Sequence, residues 1–377
     1  MSLLPQELLD AIIDQVRDKE TLKACALVAT SFLPASQRIL FRKVRLGEFR
    51  RPRAALAEFP HLVSYIRDLT ICTRGTVSEY LAVAVILRSV QSIESLAVFG
   101  GPGFRLWGRL RDEASSALLD CLSRPSLRRF ELSHVAGVPA ALILAATAIP
   151  IAEFKSVNVD VSMARLGEDI SEQLHASAPV PRLRHLILGD IGPTICDFLL
   201  HPRKPSYTQQ IERLEINIDK RSANYAERIM AACAATLKYF AVDAADLIRL
   251  PLMPSVLEVE IKLSVGAHRR LPASFSSNIS QIASSLPLVE TITVVYVDPL
   301  HPGPEIEWPD EGPLPIFDPS FMDHTQLLHL RRVHCILRLQ TIFGDISALF
   351  DRFVPAMESR MPGLRGTGIL KCVYNSS

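Results

Sequence analysis

The residue types most often used for chemistry are present in this chain but are poorly spaced for it. "HLRRVH" sets His329 and His334 five residues apart, whereas two imidazoles on one helix face need a separation of three or four. Seven cysteines, Cys25, Cys72, Cys121, Cys196, Cys233, Cys335 and Cys372, are scattered and never spaced as Cys-x-x-Cys. In a chain of 377 residues such an odd, dispersed set reads as small buried hydrophobes in a reducing compartment, cytoplasmic and/or nuclear. The glycines of "GGPG" (100–103) lack the lysine, strand and helix of a phosphate loop and read as a turn. No GxSxG elbow, HExxH pair, GxxxxGK[ST] loop or GxGxxG fingerprint occurs. The sequence predicts a chain that is not an enzyme and has no metal and no cofactor. An enzymatic reading requires a pocket that gathers titratable groups distant in sequence.

Charge and hydropathy narrow the classes further. Lysine and arginine total 41 against 40 acidic residues, a net charge of +1, with 48% hydrophobic residues. No global field attracts nucleic acid or an acidic membrane. The local basic run "FRKVRLGEFRRPR" (41–53) reads as a solvated connector in preference to an import signal. The longest apolar run, "GVPAALILAATAIPIA" (137–152), is broken by prolines and shorter than the ~20 residues of a membrane span. It reads as a buried helix. Glu7, Asp10, Asp14 and Asp18 interrupt the N-terminal apolar run, so it does not read as a signal peptide. No nucleic acid and no membrane is expected as a partner.

The elements that organise these residues emerge from an internal repeat, apolar-x-x-apolar-x-apolar. It appears as "IRDLTI" (66–71), "IESLAV" (93–98), "LRRFEL" (127–132), "FKSVNV" (154–159), "LRHLIL" (183–188), "IERLEI" (211–216) and "LKYFAV" (237–242). "VLEVEI" (256–261), "VETITV" (289–294), "LRRVHC" (330–335) and a poor "LRGTGI" (364–369) complete the series. The middle units recur at roughly 26–29 residues, near the period of leucine-rich repeats. Each unit ends in the alternation of a strand with one buried face. Helix-like stretches at 76–90, 112–123, 222–235 and 274–286 lie between them. Strand plus helix at a short period predicts an α/β solenoid whose strands form a curved parallel sheet. The spacing from 237 to 256 is too short for a full helix. "DPLHPGPEIEWPDEGPLPIFDP" (298–319) reads as a Pro-rich acidic loop inserted between repeats, and 100–113 as a smaller loop.

If the strands line a concave sheet, the residues between the apolar positions face outward. These are Asp68, Arg129, Glu131, Asn158, His185, Arg213, Glu215, Tyr239, Glu258, Glu260, Arg332 and His334. Their charges alternate in sign, which suits a polar protein surface better than a phosphate backbone.

The N-terminal stretch "LPQELLDAIIDQV" (4–16) predicts a short helix with apolar residues on two adjoining lines, Leu8–Ile12 and Leu9–Ile13–Val16. Asp18 is placed to cap a second helix with Leu22, Cys25, Ala26 and Ala29, and Pro34 starts a third with Ile39, Leu40 and Phe41. Three short helices have too little interior to cover both lines. One face packs at home, and the other is left for a partner. Otherwise both faces pack within the chain and the helices cap the solenoid, giving a non-catalytic interaction scaffold.

"LPQELLDAII…TLKACALVATSFLPASQRILF" resembles the F-box, particularly the form of the large fungal F-box families. Leu4-Pro5, Glu7-Leu8, Ile12 or Ile13, Leu22, Leu27-Val28, Phe32 and the "LF" at 40–41 carry the match, over roughly residues 3–44. Where many F-boxes have Cys-Lys-x-Trp, this chain has "VATSF". The resemblance implies a three-helix module over 1–46, followed by a degenerate leucine-rich-repeat-like solenoid over 47–377. It implies docking on a Skp-family adaptor, and through it a cullin, with Leu4, Pro5, Leu8, Ile12, Leu22 and Val28 facing the adaptor. The solenoid would then receive an unknown protein substrate through Arg129, Glu131, Asn158, His185, Arg213, Glu215, Tyr239, Glu258 and Glu260, in an SCF-type ubiquitin ligase.

Overall fold

The computed structural model describes residues 4–46, 50–72, 77–100, 105–107, 112–139, 142–143, 146, 153–162, 183–189, 193–200, 207–218, 222–244, 249–264, 281–282, 284–298, 327–339, 346–361, 364 and 368–376. The chain divides into two compact units, Met1–Leu183 and Arg184–Ser377.

The first unit opens with helices α1 (Gln6–Asp14), α2 (Lys19–Val28) and α3 (Leu33–Leu40). Asp18 caps α2, accepting from the Thr21 backbone N–H at 2.7 Å and from the Thr21 hydroxyl at 2.7 Å, and Pro34 lies in the first turn of α3. The core of this bundle is small: Ile13, Leu22 and Ala35, ringed by Val16, Cys25, Phe32, Ile39 and Leu40. After α3 come strand β1 (Lys43–Leu46), helix α4 (Arg50–Glu58) and a 3-10 helix over Pro60–Tyr65. Then follow β2 (Asp68–Cys72), α5 (Val77–Ser89), β3 (Ser95–Phe99), β4 (Arg105–Leu106), α6 (Asp112–Leu122), β5 (Arg129–Pro139) and β6 (Glu153–Ser162). The strands stand in chain order, β1-β2-β3-β5-β6, every pair parallel, with β4 also on β5.

The second unit repeats the scheme. It contains β7 (His185–Gly189), α7 (Pro193–Leu199), β8 (Arg213–Ile218), α8 (Ala223–Cys233), β9 (Tyr239–Ala244), β10 (Glu258–Ser264), β11 (Thr291–Asp298), β12 (Arg332–Leu339), α9 (Ile346–Arg360) and β13 (Leu370–Ser376). Its strands run β7-β8-β9-β10-β11-β12-β13, again parallel and in chain order. Each unit is thus an α/β, solenoid-like stack.

The register explains why these residues form these strands. Leu69, Leu96, Phe130 and Phe154 stand opposite one another, as do Leu186, Leu214, Phe240, Val259, Ile292 and Val333. All ten are buried. Removing each such side chain from water is worth ~1.5–3 kcal/mol, and only a neighbouring unit supplies the cover. A shared backbone feature recurs at junctions in both units. The carbonyl two residues before the fourth position accepts two successive N–H groups from the next unit: Glu94 O from Arg128 and Arg129, Glu212 O from Lys238 and Tyr239, Leu257 O from Glu290 and Thr291.

Several sequence expectations change. In the fourth unit the register pairs Phe130 with Phe154 and Leu132 with Ser156, so Phe154 is the fourth position and the phase is shifted by three residues. Because side chains alternate, an odd shift exchanges the two faces. Ser156 is buried, where an outward position was expected. The last unit slips the other way: β13 starts at Leu370, opposite Val333. The basic segment expected as a connector holds β1, with Val44 and Leu46 buried, so residues 43–46 belong to the sheet. The segment 100–113 contains β4 and a buried Trp107. Its first glycine is required by contact, because a Cβ on Gly100 would lie 1.8 Å from the His134 carbonyl oxygen. The start of the 137–152 run belongs to β5, while Leu142, Ile143 and Ala146 are buried and helical. The acidic segment beyond Asp298 and most of 274–286 lie outside the described residues.

The register makes a testable statement about Ser156. It is buried, with its hydroxyl unpartnered, and a buried hydroxyl without a hydrogen bond costs about 1 kcal/mol or more. Ser156→Ala is expected to stabilise the protein by about 1 kcal/mol in chemical denaturation. An outward Ser156 would make the change neutral.

Candidate functional site

Two surfaces collect the residues singled out in the sequence. The first is the apolar side of the helical bundle. Ile13 turns into the core and Val16 packs against it, while the other line of α1 stays outside: Leu8 is 51% and Ile12 54% exposed. Leu4 and Pro5 precede them on the surface. At the end of α2, Leu27 is 88% and Val28 74% exposed. Leu22 departs from expectation. At 2% exposure it is a centrepiece of the bundle core with Ile13 and Ala35, and no partner reaches it without unfolding the module. Leu27, next to Val28 at the end of α2, takes its place on the surface. Polar contacts fix the helices: Gln6 Nε2 donates to the Ser31 carbonyl at 2.8 Å, and Arg38 bridges Asp14 at 3.1 Å and Asp10 at 3.7 Å.

The second surface is the outward face of the strands. In the first unit Arg129 is exposed and lies 3.5 Å from Asp68, which Lys43 approaches at 3.8 Å. Glu131 takes Lys155 at 2.9 Å and the Ser133 hydroxyl at 2.8 Å. Asn158 falls in β6, and its side chain lies outside the described residues.

In the second unit the strand ladder brings five predicted residues into one cluster. His185 and Arg213 share a row, and Glu215 stands two residues along β8 on the same face. His185 Nε2 lies 3.1 Å from Glu215 Oε1. An ionised carboxylate only accepts, so the ring nitrogen is the donor. Arg213 Nε and Nη2 donate to the same oxygen at 3.1 and 3.0 Å. Arg213 also lies over the Tyr239 ring, 3.6 Å from its centroid, a cation–π contact. The Tyr239 hydroxyl donates to Glu260 Oε2 at 2.9 Å. Lys262, not expected from the sequence, joins from β10, 3.5 Å from Glu215 and 3.6 Å from Glu260. It was missed because the six-residue motif stops at Ile261 while the strand runs to Ser264. The alternation continued by two residues would have found it.

Electrostatics follow from the geometry. The hydrogen bond from His185, with Lys262 and Arg213 nearby, holds the Glu215 carboxyl down at about 2 against the cost of burial. Burial, with Glu260 beside it, pushes the Tyr239 hydroxyl up. Burial likewise raises Asp243, with Lys262 opposing. Glu258 is exposed at the start of β10. Arg332 and His334 sit on β12, away from this cluster in the register, and burial followed by the charges of Lys371 and Arg332 lowers the His334 imidazole.

A groove of about 370 Å³ in the first unit is lined by Leu56, Ala57, Pro60, Val63, Ala82, Val85, Ile86 and Ser89. The Ser89 hydroxyl is already donated to the Val85 carbonyl, so this lining offers apolar surface and no acid or base. Among the described residues no group of three histidine, cysteine or carboxylate side chains is placed to hold a metal ion. No described helix is long and apolar enough to cross a membrane. In comparisons with known protein families and with curated protein sequences, nothing matches the chain.

The Glu215 carboxyl gives a pH-dependent stability with a defined sign. Its folded value lies below the ordinary 4.5, so its contribution is present in full above pH 4.5 and lost as pH falls toward 2. With Glu215 17% exposed, that contribution is at most about 3 kcal/mol. Denaturation from pH 7 to 2 is expected to show a steeper acid loss in the wild type than in Glu215→Gln.

Proposed function

We propose that this chain is the substrate-recognition subunit of an SCF-type ubiquitin ligase. Its N-terminal helices act as an F-box that binds a Skp-family adaptor, and its strands act as a degenerate leucine-rich-repeat-type receptor for a protein substrate. The chain performs no catalysis. It brings the substrate to a ubiquitin-transfer centre carried by other subunits, supplying proximity and orientation. Residence in the cytoplasm and/or nucleus belongs to the same reading.

The observation that carries this reading is the imbalance in the bundle. Leu4, Leu8, Ile12, Leu27 and Val28 are all more than half exposed on a module whose core is Ile13, Leu22 and Ala35. A module this small that leaves more large apolar side chains in water than it buries is built for burial elsewhere. The adaptor contacts are therefore assigned to Leu4, Pro5, Leu8, Ile12, Leu27 and Val28, without Leu22. For the substrate, the Arg213–Tyr239 stack over Glu215 and Glu260 supplies the rigid arginine and tyrosine surface found at interface centres.

A second reading, a scaffold whose helices only cap the repeats, is favoured by one contact. His61 Nε2 lies 3.4 Å from Gln37 Oε1, tying α3 to the 3-10 helix beneath it. Adaptor binding separates the two. Wild-type protein titrated with a purified Skp-family adaptor is expected to bind saturably. Leu8→Asp/Ile12→Asp is expected to lose at least ~100-fold in affinity with an unchanged melting temperature. Folded wild-type protein that fails to bind overturns the ligase reading and leaves the scaffold. Point changes are preferable to removing the module, because a truncation after residue 50 also removes β1 and bares the edge of β2.

A further inference from the structure

Two of the seven cysteines, 37 positions apart in the sequence, meet in the fold. Cys335 on β12 and Cys372 on β13 are direct partners in the parallel register. They continue the core row of Ile216, Val242, Ile261 and Val294, so both side chains point to the same side of the sheet. Directly paired residues of neighbouring strands have Cα atoms about 4.8 Å apart, inside the roughly 4.4–6.8 Å window that a disulfide spans. Both are free thiols, close enough for each to shift the ionisation of the other.

Their surroundings differ in a way that divides the chemistry. Cys335 is buried, between β11 and β13. Cys372 is half-buried on the last strand of the series, within reach of solvent. The neighbouring Cys335 thiol draws the Cys372 thiol below its usual value, although burial and the Glu358 charge oppose it. The same pairing, with burial, holds Cys335 well above. Elsewhere burial raises Cys121 and Cys196 and pushes Cys233 up to about 12, which leaves those thiols inert. No other cysteine has a cysteine opposite it in the described strand registers.

We propose that Cys335 and Cys372 form a reversible disulfide site at which a peroxide oxidant staples β13 to β12. The Cys372 thiolate attacks hydrogen peroxide. An S–O bond forms, the O–O bond breaks, and hydroxide leaves as water after taking a proton. The Cys335 sulfur then attacks the sulfenic sulfur of Cys372. The S–S bond forms, the S–O bond breaks, and the departing hydroxide takes the Cys335 proton. Two thiols and one peroxide become one disulfide and two waters, the sulfurs losing the two electrons that the peroxide gains. Cys372 is within reach of solvent, and exposed disulfides are the readily reduced ones. The site is therefore an on–off tether in a reducing compartment.

Trypsin releases the two cysteines on separate peptides, Val333–Arg338 and the one beginning at Cys372. Native wild-type protein treated with hydrogen peroxide and mapped without reductant is expected to show these two joined. Two of the seven thiols should disappear, dithiothreitol should restore them, and amide exchange in β13 should slow at least tenfold in the oxidised form. Cys335→Ser is expected to leave Cys372 as a sulfenic acid trapped by dimedone, and Cys372→Ser to leave Cys335 unoxidised. A wild-type protein in which Cys372 takes dimedone but never links to Cys335 overturns the proposal. So does a linkage that forms only after unfolding in urea.

Discussion

The parallel hydrogen-bonded ladder between successive strands is the constraint from which the remaining features of each unit follow. It fixes register to the residue, and register decides which side chain enters the core and which faces water. Because the strands of each unit stand in the ladder in chain order, with β4 alone off the path among the described strands, a repeat finds cover in its sequence neighbours. The apolar positions therefore recur whether or not the helices between them do. The step from β9 to β10 shows this: no helix is described between them, yet Phe240 and Val259 still stand opposite one another.

The same ladder builds the polar cluster on the opposite face. No segment of sequence contains a site with His185, Arg213, Glu215, Tyr239, Glu260 and Lys262. They lie on β7, β8, β9 and β10, and they meet because equal register brings equal positions of each repeat to one place. Glu215 sits among three nitrogen-bearing side chains, and its carboxylate is held ionised by them. The pairing of Cys335 with Cys372 arises identically on the inner face, where neighbouring repeats carry Val and Ile at that position.

Much of this was legible in the sequence, and the failures share a cause. A hydrophobic pattern with period two is informative where apolar and polar residues alternate cleanly, as in "LRHLIL" and "IERLEI", whose strands begin as the pattern predicts. It fails where a core position holds a small polar residue. Ser156 occupies such a position, so the apolar pattern falls three residues on, at Val157 and Val159. The short strand β1 was hidden by the charges of Lys43 and Arg45, which are its outward residues. In the helices, the cap at Asp18 and the two apolar lines of α1 were readable from spacing alone. Leu22 was not. A leucine on a short amphipathic helix has no sequence mark that says which of two apolar neighbours is the inner one, and only the packing of α1 and α3 around it decides.

The join between α3 and β1 has a mechanical consequence. Only Phe41 and Arg42 separate the last residue of the helix from the first of the strand, and neither is slack. Phe41 N–H is bound to Gln37 O, Arg42 N–H to Ile39 O, and the Arg42 carbonyl takes both Arg67 and Asp68. A hinge needs free torsions, and here the backbone has none to give. The exposed leucines are carried on a stiff bracket, so their bearing relative to the strands of the first unit is written into the fold and does not wander with a tether.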